Sequence, residues 1–203
     1  MDEDDKYDVL IKLLILGNST VGKSNYIHRF IEEEFNPVHV STVGFDFKTK
    51  ICEVPDINKR IKFQIWDTAG QEKYMSINKT LFQKVQGIIL MYDITNKESF
   101  NNLDIWMEAI KENSNESPVI LIGNKIDLES ERVVTKTKGE NYAKQNNIHF
   151  FESSGKSGEN VSESFFFLVE LIINEESFIK NKPKNAQVVN KKTATVKKKH
   201  KCC

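Results

Sequence analysis

Apolar residues along the chain gather into short unbroken runs, separated by polar stretches in which apolar positions recur at helical spacing. That is the pattern of strands buried on both faces alternating with helices. Val9 to Leu16, Gly87 to Tyr92 and Val119 to Ile122 read as buried strands, and Ile148 to Phe151 as a short one. Phe45 to Val54 and Arg60 to Trp66 read as two more, and Pro55-Asp56 with Asn58 marks a turn between them, so a hairpin is expected. Asn25 to Glu33 reads as a helix, and residues 73 to 84 as an irregular one. Phe100, Leu103, Met107 and Ile110 form one apolar face of a helix for which Asn96 is the candidate cap. A lysine-rich helix is expected near 136 to 146. Val161, Phe165, Leu168 and Ile172 line one face of another, from about Asn160 to Ile173. Phe35 to Thr42 is polar without a period. Six strands interleaved with helices predict an α/β, doubly wound, mostly parallel six-stranded sheet. In such sheets ligands bind beyond the carboxyl ends of the strands.

Between the first strand and the first helix stands Gly17-Asn18-Ser19-Thr20-Val21-Gly22-Lys23-Ser24, a match to G-x-x-x-x-G-K-[ST], the phosphate-cradling P-loop of NTPases. Glycine is needed at 17 and 22 because a wrapped loop uses backbone angles and close approaches that a Cβ would block. The freed N–H groups of the stretch from Asn18 to Asn25 then point at phosphate oxygens, aided by the helix dipole. Lys23 supplies a mobile positive charge for the outer phosphates, and Ser24 a hydroxyl for Mg²⁺. The bland alternative is a glycine-punctuated turn. A chance match in a chain this long is on the order of one in a hundred.

Three more chemical segments follow strand ends. Asp67-Thr68-Ala69-Gly70-Gln71-Glu72 offers an acid, Asp67, that can hold Mg²⁺ through water, and a glycine N–H at Gly70 for a terminal phosphate. Asn124-Lys125-Ile126-Asp127 follows the strand at 119 to 122. An aspartate such as Asp127 can accept hydrogen bonds from the N1–H and exocyclic amine of guanine, where adenine presents an acceptor, so it is a guanine selector. Its other common use is capping a helix. Ser154-Gly155-Lys156 follows the last short strand. All four segments are therefore expected on one rim.

Composition adds a compartment and a tail. The 203 residues suit one globular domain, expected at 8–175 after an acidic extension at 1–7. The formal net charge of +0 hides an asymmetry, with Asp2, Glu3, Asp4, Asp5 and Asp8 at one end and a lysine-rich, acid-free stretch at 180–203. There is no run of ~18 apolar residues for a membrane span, and the acidic start is unlike a signal peptide. Three cysteines, Cys52, Cys202 and Cys203, cannot build a disulfide framework, which predicts a protein on the cytosolic side. Residues 176–203 read as an unstructured basic tail.

With these motifs in this order, the chain resembles the Ras superfamily of small GTPases, and within it the Rab family. The likeness also rests on Ser-Thr-Val-Gly-Phe-Asp-Phe (41 to 47), Phe-Gln-Ile-Trp-Asp-Thr-Ala-Gly-Gln-Glu (63 to 72), Leu-Met-Tyr-Asp-Ile-Thr (90 to 95) and Cys202-Cys203. The resemblance implies that GTP or GDP with Mg²⁺ is bound. Thr42 in switch I would ligate Mg²⁺ and sense the γ-phosphate, and Gln71 in switch II would orient the attacking water. Phe35 and Lys156 would cover the guanine faces, Asn124, Lys125 and Asp127 would read the base, and the backbone of Ser154 and Gly155 would hold its carbonyl. Val43, Gly44, Phe45, Asp46, Phe47 and Trp66 would form the effector surface, joined by Leu81, which replaces a usual aromatic. Leu81-Phe82-Gln83-Lys84-Val85 stands where Rabs show Tyr-Tyr-Arg-Gly-Ala, Met75 and Asn78 depart from the pattern after Gln71, and Gly155 replaces an alanine.

By the same likeness Cys202 and Cys203 would carry geranylgeranyl chains, two being what stable anchoring needs, with each tail lysine adding ~1 kcal/mol at an anionic leaflet. The expected partners are an exchange factor, a GTPase-activating protein, a GDP dissociation inhibitor and escort protein, and vesicle effectors, with no nucleic acid. The expected state is a monomer, and the expected place is the cytoplasmic face of a secretory or endosomal membrane, cycling with cytosol. Three functions follow. One is a slow GTPase switch in vesicle trafficking, and another a constitutively GTP-bound, hydrolysis-poor binding module, which Gln71 disfavours. A P-loop ATPase or kinase is the third, against which Asn124 to Asp127 argue.

Overall fold

A computed structural model of the chain describes residues 6–35, 45–68, 82 and 84–181. Its centre is a sheet of six strands: β1 (Val9–Leu16), β2 (Phe45–Val54), β3 (Lys59–Thr68), β4 (Gly87–Asp93), β5 (Val119–Asn124) and β6 (His149–Ser153). The order is β2-β3-β1-β4-β5-β6. Only β2 and β3 pair antiparallel; the other neighbours are parallel. The expected hairpin is present, closed by a 3-10 turn at Pro55–Ile57 and by Asn58 in the left-handed region at φ 47°.

Alternation along the inner strands divides the core in two. Leu13, Ile15, Ile89, Met91, Ile120 and Ile122 face α1 (Lys23–Glu32) and α5 (Val161–Asn181). Leu14, Leu16, Ile88, Leu90 and Leu121 face the other way with Leu103, Trp106, Met107 and Ile110 of α3 (Leu103–Asn113). Because both faces are covered, β4 and β5 are buried at every position, and their composition is apolar throughout rather than alternating. Aromatic packing joins α1 to α5: the rings of Phe30 and Phe165 stack at 4.0 Å, and Phe63 of β3 meets Phe30 edge-on at 5.0 Å. Such pairs add about 0.5–1.5 kcal/mol beyond their area burial.

Several boundaries differ from the sequence reading, for physical reasons. The first helix starts at Lys23, two residues early, because Gly22 at φ 99° turns the chain into it. The amphipathic stretch is two helices, α2 (Lys97–Asn101) and α3, broken at Asn102. Asn96 is the expected cap, its side-chain oxygen accepting from the backbone N–H of Glu98 and Ser99 at 2.9 and 3.1 Å. β4 and β5 run on through Asp93 and Asn124, which sit opposite one another in the parallel register. Pairing thus carries two polar residues to the ends of apolar strands. The lysine-rich helix is α4 (Lys136–Asn146), as expected, and α5 continues past Ile173 to Asn181. The irregular helix expected over 73 to 84 lies outside the described residues apart from Phe82, which is buried in the same core cluster as Leu14, and Lys84.

Candidate functional site

β1 delivers the chain into the glycine loop beside β4. Gly17 takes φ 141°, and a Cβ there would collide with the Met91 carbonyl. A Cβ on Gly22 would come within 2.6 Å of Asn124 Nδ2. Thr20, at φ 66°, completes the wrap in a conformation that L residues seldom adopt. Lys23 is buried, and its Nζ donates to the carbonyls of Gly17 and Asn18, both at 2.8 Å, so the ammonium is pinned across the loop. The start of α1 has no side-chain cap and no acid in its first turn, which leaves it suited to an anion. The Asn18 side chain is engaged elsewhere, its Oδ1 accepting from Trp106 Nε1 at 2.8 Å.

Asp67 lies in register with Ile15 near the carboxyl end of β3 and is 7 % exposed. The two glycines let the loop pack closely against Met91 and Asn124, and the buried Lys23 supplies a charge that suits a polyphosphate. A buried carboxylate at Asp67 and the hydroxyl of Ser24 are the oxygen donors that a hard cation such as Mg²⁺ takes.

The segments expected to read a base close the other end of the rim. Asn124 is buried; its Nδ2 donates to the Val21 carbonyl at 2.8 Å, and its Oδ1 accepts from the Gly155 N–H at 3.1 Å. Lys125 is held in the left-handed region at φ 73° with its Nζ 2.7 Å from Asp93 Oδ2. Asp93 in turn accepts from the N–H and hydroxyl of Thr95 at 2.8 and 2.7 Å. Asp127 sits in a 3-10 segment, Ile126–Glu131, that has no side-chain cap bond. Its carboxylate accepts instead from Ser154 Oγ at 2.6 Å and lies 3.8 Å from Lys156 Nζ.

Arg132 holds that segment to β6. It bonds both carboxylate oxygens of Glu129, at 2.7–2.9 Å, and reaches Glu152 Oε1 at 2.6 Å. These bonds push the Glu129 carboxyl below its ordinary value, the Arg132 hydrogen bonds being the main cause.

The phosphate loop, Asp67, Asn124 to Asp127 and Ser154 to Lys156 therefore lie together at the carboxyl ends of β1, β3, β5 and β6. Phe35 is half-buried just beyond α1. Phe47, expected on the effector surface, is 48 % exposed, and its ring lies 5.4 Å from that of Trp66 on the neighbouring strand. Thr42, Val43, Gly44, Gly70, Gln71, Leu81, Cys202 and Cys203 lie outside the described residues, and Phe45 and Asp46 are described as strand backbone. Sequence reasoning missed Arg29, Asp93, Trp106 and Arg132 as supports of the rim. Each acts through a partner distant in the chain, and no local pattern signals such a pair.

Comparison with known proteins decides the family. A model of the Ras family matches residues 12–174. The chain is 48 % identical over 170 residues to Ras-related protein Rab-3 of Caenorhabditis elegans, covering 83 % of this chain and 77 % of the relative. It is 46 % identical over 175 residues to Ras-related protein Rab-3A of Homo sapiens, covering 86 % and 79 %. Over 168 residues it is 46 % identical to Ras-related protein Rab-10 of Diplobatis ommata, covering 82 % and 83 %. The chain belongs to the Rab family of small GTPases. It is thus a guanine-nucleotide-binding enzyme that hydrolyses GTP to GDP, and its family acts in vesicle trafficking through regulators and effectors. Among the described residues no helix is long and apolar enough to cross a membrane.

Proposed function

We propose that this Rab is a GTP-driven switch that recruits effectors to a cytosolic membrane face. The observation that carries the reading is Asn124, bonded on one side to the loop carbonyl of Val21 and on the other to the Gly155 N–H. One ligand with phosphates at one end and a base at the other suits a rim so joined. In this reading Gly22, Lys23 and the N–H groups from Asn18 to Asn25 hold the phosphates. Asp127 accepts from guanine N1–H and the exocyclic amine, Phe35 and the stem of Lys156 cover the ring faces, and the backbone of Ser154 and Gly155 borders the guanine carbonyl, which would share the Gly155 N–H with Asn124 Oδ1. Ser24, Thr42 and, through water, Asp67 would hold Mg²⁺, which when bound offsets charge on the phosphates.

Hydrolysis is the attack of water on the γ-phosphorus, breaking its bond to the β–γ bridging oxygen and giving GDP and inorganic phosphate. Gln71 orients that water, Lys23 meets charge on the outer phosphates, and Gly70 contributes an N–H to the terminal phosphate. While GTP is bound, Thr42 and Gly70 order their segments and Val43 to Phe47, Trp66 and Leu81 are read by an effector; loss of phosphate releases both segments. An exchange factor and an activating protein set the two rates. A GDP dissociation inhibitor and an escort protein handle the chain when Cys202 and Cys203 carry geranylgeranyl groups. A constitutively GTP-bound module is disfavoured by Gln71 directly after Asp67-Thr68-Ala69-Gly70.

Gln71→Leu tests the switch. It should retain GTP and bind effectors while its single-turnover hydrolysis falls by about ten-fold or more, because the attacking water loses its orienting partner. Single-turnover rates equal to the parent's, with and without an activating protein, would contradict the assignment.

A further inference from the structure

Arg29 stands on α1, on the turn after the phosphate loop has ended, and its guanidinium spans two parts of the molecule. Nε donates to the Gly155 carbonyl at 3.3 Å, Nη2 to the Lys156 carbonyl, and Nη1 to the Glu33 carbonyl at 2.5 Å. Glu33, at φ 61°, returns its own N–H to the Arg29 carbonyl at 3.0 Å, so the arginine also closes the end of its helix. The aliphatic stem lies against Gly158, where a Cβ would sit 3.5 Å from Arg29 Cδ.

The two carbonyls that Arg29 grips belong to the peptide units whose N–H groups are those of Lys156 and Ser157. Both N–H groups donate to Ser154 Oγ, at 3.1 and 3.0 Å. That hydroxyl spends its own proton on Asp127 Oδ1 at 2.6 Å. A continuous relay therefore runs from a cation on the phosphate-loop helix, through two peptide dipoles and one hydroxyl, to the carboxylate that faces the base. Hydrogen bonds in such a chain polarise one another, so loss of the cation weakens each later member. Arginine suits the position because its rigid planar fork reaches two loop carbonyls and the helix end together, which a lysine ammonium on a flexible stem does not.

We propose that Arg29 is a positioning residue for Asp127, setting how sharply the protein distinguishes guanine from a purine that lacks the exocyclic amine, as well as how long the nucleotide stays. This rests on Asp127 reading the guanine edge. Loosening of α1 in general would release every purine nucleotide faster by the same factor. Loss of the relay releases GDP disproportionately, because inosine diphosphate never made the second bond to Asp127.

The test measures release of GDP and of inosine diphosphate from the full chain for the parent, Arg29→Gln, Arg29→Lys, Tyr26→Phe and Asp127→Asn. Tyr26→Phe is the control, since it removes the 2.7 Å hydroxyl contact between Tyr26 and Ser164 that joins α1 to α5 without touching the relay. Arg29→Gln should release GDP about tenfold faster, the size of one hydrogen bond to a charged group, and should lower the ratio of the two release rates severalfold. Arg29→Lys should fall between Arg29→Gln and the parent, and Tyr26→Phe should keep the parent ratio. An unchanged ratio in Arg29→Gln, or an equal fall in Tyr26→Phe, overturns the relay while leaving the guanine reading intact, provided Asp127→Asn still abolishes discrimination. A parent that releases both nucleotides alike overturns the reading of Asp127 and the relay with it.

Discussion

The side-chain amide of Asn124 donates to the backbone carbonyl of Val21 at 2.8 Å. One residue at the end of β5 thereby fixes the back of the phosphate loop, and its other side-chain atom holds the loop at Gly155. Asn124→Ala removes both bonds and leaves a buried carbonyl and a buried N–H unsatisfied, at a cost of about 1–3 kcal/mol each. The protein should fold but release GDP at least tenfold faster, measured by displacement of a fluorescent GDP. Release at the parent rate would show that the two ends of the rim do not depend on this clamp.

Alkaline stability should report the buried contact between α1 and α5. The Tyr26 hydroxyl is fully buried, and desolvation, with smaller opposing hydrogen bonds from Ser153 and Ser164, pushes its pKa up from 10.0 to about 12. The folded state therefore holds this proton more tightly than the unfolded chain. The stabilisation is complete below pH 10 and is lost as pH rises from 10 through 12. Over that window Tyr26 contributes up to about 1.4 kcal/mol of lost stability per pH unit. Burial raises Tyr92 and Tyr142 as well, so the parent slope is a composite. Tyr26→Phe should have a shallower slope than the parent in urea unfolding between pH 9.5 and 11.5, and identical slopes would contradict the burial of an unionised Tyr26.

Much of this site was legible before the fold was known, and the reason is local. The loop from Gly17 to Ser24 announces itself because backbone conformation demands glycine at fixed places. Val9 to Leu16 and Gly87 to Tyr92 announce themselves because a strand covered on both faces must be apolar throughout. Asp93 and Asn124 were harder, since a polar residue ends an apolar run by composition yet continues the strand by pairing. The pairs Arg29 with Gly155, Trp106 with Asn18 and Lys125 with Asp93 join segments far apart in the chain, and only the assembled sheet makes them neighbours. Asp127 could have been a helix cap by sequence; its bond to Ser154 is tertiary information.

Membrane attachment should depend on Cys202 and Cys203. The anchor proposed above is lipid on these two cysteines, with the tail lysines as a salt-sensitive supplement. Changing both cysteines to Ser should move the full chain into the cytosolic fraction, with GTP binding and hydrolysis unchanged. Changing one should leave weak, reversible attachment, as one chain carries about half the transfer energy at ~0.8 kcal/mol per buried CH₂. Sedimentation of the double variant with membranes in both low and high salt would place the anchor elsewhere.

The most direct test of the account is equilibrium competition between GTP and xanthosine triphosphate for the parent and for Asp127→Asn. The carboxylate only accepts, matching the N1–H and amine of guanine; an amide at 127 can donate to the carbonyl that xanthine carries in place of the amine. The parent should prefer GTP strongly. Asp127→Asn should lose at least tenfold in GTP affinity, about the worth of one hydrogen bond to a charged group, and should favour xanthosine triphosphate. An unchanged preference for GTP in the variant would contradict the assignment of Asp127, and with it the rim as a guanine site.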